Sequence, residues 1–263
     1  MTLPTPDPAF HWTTEAWGHA LRCRPLSAIA QHAFTTKQLQ LRPGGPKTNP
    51  DGWTQAVATV GAGLEQLVRV RQVHAASVRV LKQGETGAAD LAAVPDGDAI
   101  VSNASGYVLS VQVADCVPIL MASGKDGVVA AVHAGWRGTC AGVARAAIDT
   151  LTRQFGVKPS DLTVAIGPSI GLCCYDVGPN VLDAFRTAGS GEEHLARWFT
   201  TNGGGSLRLD LWAANRDQLI TAGVREDHLY ISGLCTQTHS NIFESYRVDG
   251  QHAGRLLALI AVP

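Results

Sequence analysis

Three short stretches each bring one soft metal ligand to the edge of an apolar run: Arg71-Gln-Val-His74, Val113-Ala-Asp-Cys116-Val-Pro and Ala130-Ala-Val-His133-Ala-Gly-Trp-Arg-Gly-Thr139. None carries a short-range ligand motif such as CxxC or HExxH. Singly, each has an ordinary structural meaning. A histidine at a strand end is commonly a hydrogen-bonded structural residue, and a cysteine before Val-Pro is commonly a small buried hydrophobe. Together they make a chemical set. One thiolate and two imidazoles suit Zn²⁺, and three protein ligands leave a fourth tetrahedral position open to water or substrate. Gly135, beside His133, is small enough for a substrate to approach the backbone. Arg137 follows at once, a fixed cation with bidentate geometry for phosphate or carboxylate. Asp115 adjoins the thiol and could orient a ligand or move a proton. Two other chemistries use the same residues. Cys116 could be the nucleophile of a hydrolase, with His133 or His74 as its base. The set could also be a non-catalytic metal-binding scaffold with no open position.

The rest of the chain must position these residues. It has 263 residues, 45% hydrophobic and 16% charged, with a formal net charge of −1. The charged fraction lies below the usual value of about 25%, and the apolar content suits a packed core. Nothing in the charge balance predicts a nucleic-acid groove or an anionic-membrane patch. The N-terminus shows no secretory pattern and no run approaches a membrane span, so a reducing cytoplasm with six free thiols is expected. Residues 1–25 read as an irregular arm and residues 26–263 as a single catalytic α/β domain.

Short Val/Ile/Leu-rich runs between Gly, Asp and Ser predict strands over 67–72, 76–81, 98–102, 107–113, 117–122 and 128–133. Val143, Ala147, Leu151 and Phe155 recur at i+4, with Thr139 as the expected N-cap and Gly156 as the stop. Further helices are predicted over 179–188 and 210–222, and strands over 162–166, 228–232 and 255–262. Strands come first and helices fall between later strands, which predicts a mixed sheet covered by helices. Residues 167–171, Gly-Pro-Ser-Ile-Gly, read either as a tight turn or as backbone N–H groups shaping the site. Cys173 and Cys174 read as small packing residues. The nine histidines include no His-x-His pair, so the imidazoles of a four-copper laccase are not available.

The blocks ADCVP (114–118), AAVHAGWRGT (130–139) and IGPSIGLCCYDVG (166–178) resemble the signature blocks of the YfiH-type polyphenol oxidase or laccase-domain family. That family also includes proteins called peptidoglycan editing factors. RQVH (71–74) and residues 235–255 fit it too, and the resemblance runs from about residue 30 to the C-terminus. It implies a single-domain layered α/β/α sandwich with a mixed sheet, of the cytotoxic-necrotising-factor/YfiH-like kind. It implies a mononuclear site of His74, Cys116 and His133, holding zinc, with copper as the alternative ion. The implied activity is phosphorolysis of adenosine, inosine, guanosine and methylthioadenosine, with hydrolytic deamination of adenosine. Copper-dependent phenol oxidation and cell-wall precursor editing are also assigned to the family. The implied partners are a purine nucleoside and phosphate, with no nucleic acid and no membrane. Lys37 stands where the family's anion-binding arginine is expected, with Arg42 nearby. Gln72, Gly135, Tyr175, Phe243 and Ser245 are the candidate substrate contacts, with Tyr175 and Phe243 reading otherwise as core aromatics and Gln72 and Ser245 as solvated polar residues, and Asp115 with Arg137 are the expected catalytic groups beside the metal.

Overall fold

The computed structural model describes residues 2–85, 94–201 and 203–263. Among the described residues, the strand signals resolve into two six-stranded mixed sheets. The first contains β1 (Phe10–Glu15), β2 (Gly18–Cys23), β3 (His32–Thr35), β14 (Leu256–Ala261), β7 (Val108–Val113) and β4 (Leu67–Val68), in that spatial order. The second contains β13 (Leu229–Ile231), β10 (Thr163–Ile166), β8 (Val117–Ser123), β9 (Val128–Ala134), β6 (Ala99–Ser102) and β5 (Val78–Leu81). Most neighbours pair antiparallel, while β4–β7, β5–β6 and β10–β13 are parallel. A separate ribbon pairs β11 (Phe199–Thr201) with β12 (Leu207–Leu209).

The two sheets pack face to face. Leu109, Val111, Ala258 and Ile260 of the first meet Ile100, Leu120, Val129 and Ala131 of the second in one buried cluster. The outer face of the first sheet (Ala33, Leu257, Leu259) is covered by Trp53, Ala56 and Val57 of helix α2 (Pro50–Ala58), which follows the one-turn α1 (Arg24–Ser27). The outer face of the second sheet is covered by α4 (Val143–Phe155), α5 (Pro179–Thr187), α6 (Glu192–Trp198) and α7 (Leu211–Thr221). The mixed α/β class and the single domain stand as the sequence reads them, but the layering is α/β/β/α, with two sheets where one was expected. The reason lies in β8 and β9, which are buried at every residue. A strand covered on both faces reads as a continuous apolar run, which does not tell a helix layer from a second sheet.

Two local expectations change. Residues 10–23, expected as part of an irregular arm, form the β1–β2 hairpin and extend the first sheet. Thr139 does not cap α4. It lies inside a separate short helix, α3 (Trp136–Cys140), and Gly142, at φ 77°, starts α4. Asp210 does cap α7, accepting from the Ala213 N–H at 2.9 Å, and Gly156 ends α4 in the left-handed region. The last helix, α8 (Tyr246–Asp249), is a single turn. Among the described residues, no helix is long and apolar enough to cross a membrane.

Candidate metal centre

Strand periodicity decides which way the ligands point. In β9, Val129 and Ala131 face the other sheet while Val128, Ala130 and Val132 face the helices. His133 has the parity of Val129 and Ala131, so it points between the sheets. Ile100 of β6 and Leu120 of β8 face the same way, which puts Asp98 and Cys116, two and four residues before them, on that side also. The starts of β5, β6 and β8 and the end of β9 share one end of the second sheet. Residues 114–116 carry the chain from β7 in the first sheet to β8 in the second, and Asp115 makes that passage at φ 81°. His74, just before β5, sits at φ 60°. Left-handed backbone at a non-glycine residue costs about 1–3 kcal/mol and needs surrounding structure to hold it.

The result is convergence. The ligand atoms of His74, Cys116 and His133 all lie within 4.8 Å of one another. The two imidazoles meet edge to face, with centroids 4.8 Å apart. His133 is buried, Cys116 half-buried and His74 exposed, so the group opens on one side. A cysteine sulfur with two ring nitrogens fits a zinc ion, and the open side matches three protein ligands with one position to spare.

Asp98, which is not among the expected site residues, organises the group. It is fully buried. Its carboxylate accepts from His133 Nδ1 at 2.9 Å, which leaves Nε2 to face Cys116. It also accepts from the backbone N–H groups of Val73, His74 and Ala75, at 3.3, 2.9 and 2.7 Å. Three successive N–H groups around one anion form a nest, which holds His74 in its left-handed conformation. One carboxylate thus fixes both imidazoles, one through its ring and the other through its backbone. The only signal in the sequence is an acidic residue opening an apolar strand, Asp98-Ala-Ile-Val.

The charges of the group support one another. Burial works to raise the Cys116 thiol, but the His133 charge and hydrogen bonds from His133 and His74 outweigh it and bring it down to about 6. Burial works to lower His133, but the Cys116 thiolate and Asp98 outweigh it and raise the imidazole to about 9. Burial pushes Asp98 up as well, and the hydrogen bonds from His133, Ala75 and His74 hold it below its ordinary value. The shifts of Cys116 and His133 both run toward a proton on His133 and a thiolate at Cys116, and a metal ion held by the two would replace that proton.

Gly135 belongs to the same construction. A Cβ placed there would stand 2.8 Å from Cys116 Sγ and 3.2 Å from His74 Cδ2. Its backbone φ of −69° suits any residue, so close approach to the sulfur is what requires glycine. Gly135→Ala is therefore expected to fold normally and to lose zinc affinity by about 10-fold or more, as for other disturbed ligand supports. A competition titration against a chelating dye checks it, and unchanged affinity would show that the sulfur has room.

The group lies in the wall of a cavity of about 840 Å³. Arg69, Arg71, Arg137, Arg247 and Arg255 line this cavity, with Asp115 as the one carboxylate among the described lining residues. Arg71 is paired with Asp96. Arg247 lies over the Tyr175 ring, 5.2 Å from its centroid. Arg137, exposed at the start of α3, stacks on Trp136 at 4.4 Å. Arg69 is buried over Trp53, and its Nη1 has no hydrogen-bond partner among the described residues. Burial brings Arg69 down to about 10, which leaves it charged at neutral pH.

The expected contacts divide. His74, Cys116, His133, Asp115, Arg137, Gln72 and Tyr175 line the cavity. Lys37 does not. Its Nζ donates to the Ser240 carbonyl at 2.5 Å, tying two segments of chain together. Arg42 also lies off the cavity wall, against the His252 carbonyl at 3.5 Å. Arg69 and Arg255 supply charge in their place, and neither adjoins the expected motif in sequence. Phe243 is fully buried in the core and stacks on Trp12. Ser245 is fully buried before α8 and does not reach the cavity. Asp115 is engaged as an anchor: its carboxylate accepts from Thr236 Oγ1 and from the Arg247 N–H, both at 2.6 Å. The Gln72 amide is likewise spent on the Gln112 backbone, donating at 2.7 Å and accepting at 2.8 Å. The N–H groups of Gly167, Ser169, Ile170 and Gly171 all donate to groups within the protein, so residues 167–171 act as a turn. Cys173 is exposed, contrary to a packing role, and it gathers with Cys174 and Cys235.

Fold and centre together define a single-domain α/β protein with a candidate mononuclear metal site at the seam of two sheets. Residues 49–263 match the family described as multi-copper polyphenol oxidoreductase laccase, and the chain belongs to that family. It is 40% identical over 200 residues to purine nucleoside phosphorylase YlmD of Geobacillus stearothermophilus, covering 75% of this chain and 72% of that one. It is 36% identical over 200 residues to adenosine deaminase RL5 of an unknown prokaryotic organism, covering 74% and 75%. The crystal structure of YlmD from Geobacillus stearothermophilus superposes with a TM-score of 0.85 at 33% identity, over 95% of this chain and 98% of that chain.

Proposed function

We propose that the chain is a zinc-dependent purine nucleoside enzyme, cleaving nucleosides with phosphate and deaminating adenosine. The observation that carries this reading is the open-sided Cys/His₂ group in the wall of an arginine-lined cavity. A relative named as a purine nucleoside phosphorylase and another named as an adenosine deaminase support it. His74, Cys116 and His133 would hold the ion, which supplies Lewis-acid polarisation of an oxygen when bound.

The other steps belong to the chain. Tyr175, Trp136 and Ile170 give the cavity an apolar wall against which a flat base packs. Arg137 presents an exposed guanidinium to phosphate, and Arg69 adds a buried positive charge to the same wall. In phosphorolysis a phosphate oxygen bonds to ribose C1′ and the bond from C1′ to the base nitrogen breaks. The electron pair leaves with the purine, which takes up a proton. Fixed cations hold the nucleophile's charge without reorganising. In deamination water adds at the purine C6 and ammonia leaves. Asp115 contributes by tying Arg247, in the cavity wall, to the buried Thr236, in place of the proton transfer expected of it.

Arg137→Ala is expected to raise KM for phosphate about 10-fold or more, the worth of a lost charge-assisted hydrogen bond, and to change KM for adenosine much less. Steady-state kinetics with each substrate varied separately checks this, and equal effects on both would remove Arg137 from the phosphate site. The reading as a whole is tested by incubation with adenosine, with and without phosphate, scored for adenine, inosine and hypoxanthine. Adenine appearing only with phosphate and inosine appearing without it are the expected results. Absence of product under both conditions overturns the proposal. The Cys116 thiolate beside His133 also fits a metal-free nucleophile. Turnover unaffected by complete removal of metal would favour that chemistry.

A further inference from the structure

A second group of ligating side chains lies outside the cavity wall. The link after β10 and the link after β13 run side by side, joined by a bridge between Ser169 and Cys235. The first link turns back at Gly171, whose carbonyl accepts from the N–H groups of Cys174 and Tyr175 at 3.0 and 3.1 Å. That turn brings Cys173 and Cys174 against Cys235, and the three sulfurs lie within 4.8 Å of one another. The Gly171 N–H donates to Cys235 Sγ at 3.3 Å, fixing the buried sulfur from behind. A Cβ at Gly171 would stand 3.0 Å from Trp212 Cη2 and in ordinary contact, at 3.4 Å, with Cys173 Sγ and Cys235 Cβ, so the turn packs directly against the sulfurs. Thr238 Oγ1 completes the cluster, 3.6 Å from Cys173 Sγ and 3.4 Å from Cys174 Sγ. Cys173 is exposed and Cys235 buried, so the group has one solvent entrance and a closed back.

We propose that Cys173, Cys174 and Cys235 form a binding site for a thiophilic monovalent metal ion, copper(I), separate from the His74–Cys116–His133 centre. The donor set makes the choice. Three sulfurs with no imidazole and no carboxylate form a soft set, and soft thiolates select copper(I). Zinc at three protein ligands holds a water in its fourth position, whereas copper(I) takes three sulfurs with no further ligand, and the hydroxyl at the sulfurs among the described residues, that of Thr238, is neutral. Three sulfurs at about 2.3 Å from one ion, at the corners of a triangle, stand about 4.0 Å apart. Adjustments below one ångström bring the present spacing to that geometry. Binding replaces thiol protons, so uptake strengthens as pH rises.

The test is an anaerobic titration with copper(I) against bicinchoninic acid, in a Cys116→Ser background so that the first centre does not contribute its thiolate. One equivalent of copper withheld from the chelator is expected, with only sulfur neighbours in its X-ray absorption spectrum. Adding Cys173→Ser is expected to weaken the withheld equivalent at least tenfold. Cys173 is exposed, so that serine should leave the thermal midpoint unchanged. No copper withheld, an equivalent unaffected by Cys173→Ser, or a nitrogen-containing shell would each overturn the proposal. So would loss of two titratable thiols on exposure to peroxide with no copper uptake, which would make the cluster a disulfide switch.

Discussion

His133→Ala is expected to lose bound zinc and nucleoside turnover in one step. The imidazole is the buried member of the ligand group, and its removal leaves an exposed histidine and a half-buried cysteine. Two ligands do not hold a zinc ion against solvent at micromolar concentration. The same change removes the charge that stabilises the Cys116 thiolate. Burial then prevails at that sulfur and raises it, so the second ligand weakens as well. It also strips Asp98 of its ring partner while leaving the carboxylate buried. Metal content should fall from about one equivalent to near zero, with kcat/KM lower by about 1,000-fold or more, a few kcal/mol of transition-state stabilisation. Elemental analysis and initial rates on one preparation settle it. Retained turnover in the metal-free variant would sink the metal mechanism and leave the thiol reading.

Asp98→Asn should show how much of the centre depends on a buried residue that does not line the cavity. The carboxylate accepts from three backbone N–H groups and one imidazole. An asparagine has one oxygen to offer, and its NH₂ must face a donor. Loss of a buried hydrogen bond to a charged acceptor costs about 1.5–3 kcal/mol, and a denaturant melt should fall within that range. The effects at the centre are more specific. The nest that holds His74 at its left-handed φ relaxes, and His133 loses the acceptor that fixes its tautomer. Zinc affinity is expected to fall 10- to 100-fold, as for other carboxylate–histidine–metal supports. The His133 pKa should fall too, because Asp98 is one of the groups raising it. In the metal-free protein an imidazole NMR titration reads that shift directly. A purely structural role would lower stability and leave both the titration and the metal affinity in place.

The parts of this arrangement legible in the sequence are those carried by local pattern. β7, β8 and β9 announce themselves as apolar runs, and α5 and α7 by proline or aspartate starts and small-residue stops. The Cys/His₂ group is legible because soft ligands at strand edges have a shared chemistry, and the family resemblance joins them. What the sequence hides is distance in space between residues far apart in the chain. Lys37 stands where the resemblance expects an anion-binding arginine, with Arg42 nearby, yet the link around them packs on Ser240 and His252. Arg69 and Arg255 lie outside that motif and line the cavity. Asp98 has the composition of any strand start, and only the fold shows four donors converging on it. The second sheet is hidden for a related reason, since buried faces on both sides of β8 erase the alternation that would tell one layer from the next.

The passage at residues 114–116 from one sheet to the other has a mechanical consequence. Cys116 and His133 ride on one plate of the sandwich, whereas Arg69 and Arg255 ride on the other, at the ends of β4 and β14. The spacing between the ligands and these guanidinium groups is therefore a thickness, gauged by Val111, Leu120, Ala131 and Ala258 in the layer between. Close-packed interiors transmit volume changes. A substitution deep in that layer, remote from every reacting atom, would shift one half of the cavity against the other and register as altered kinetics before it registered as lost stability.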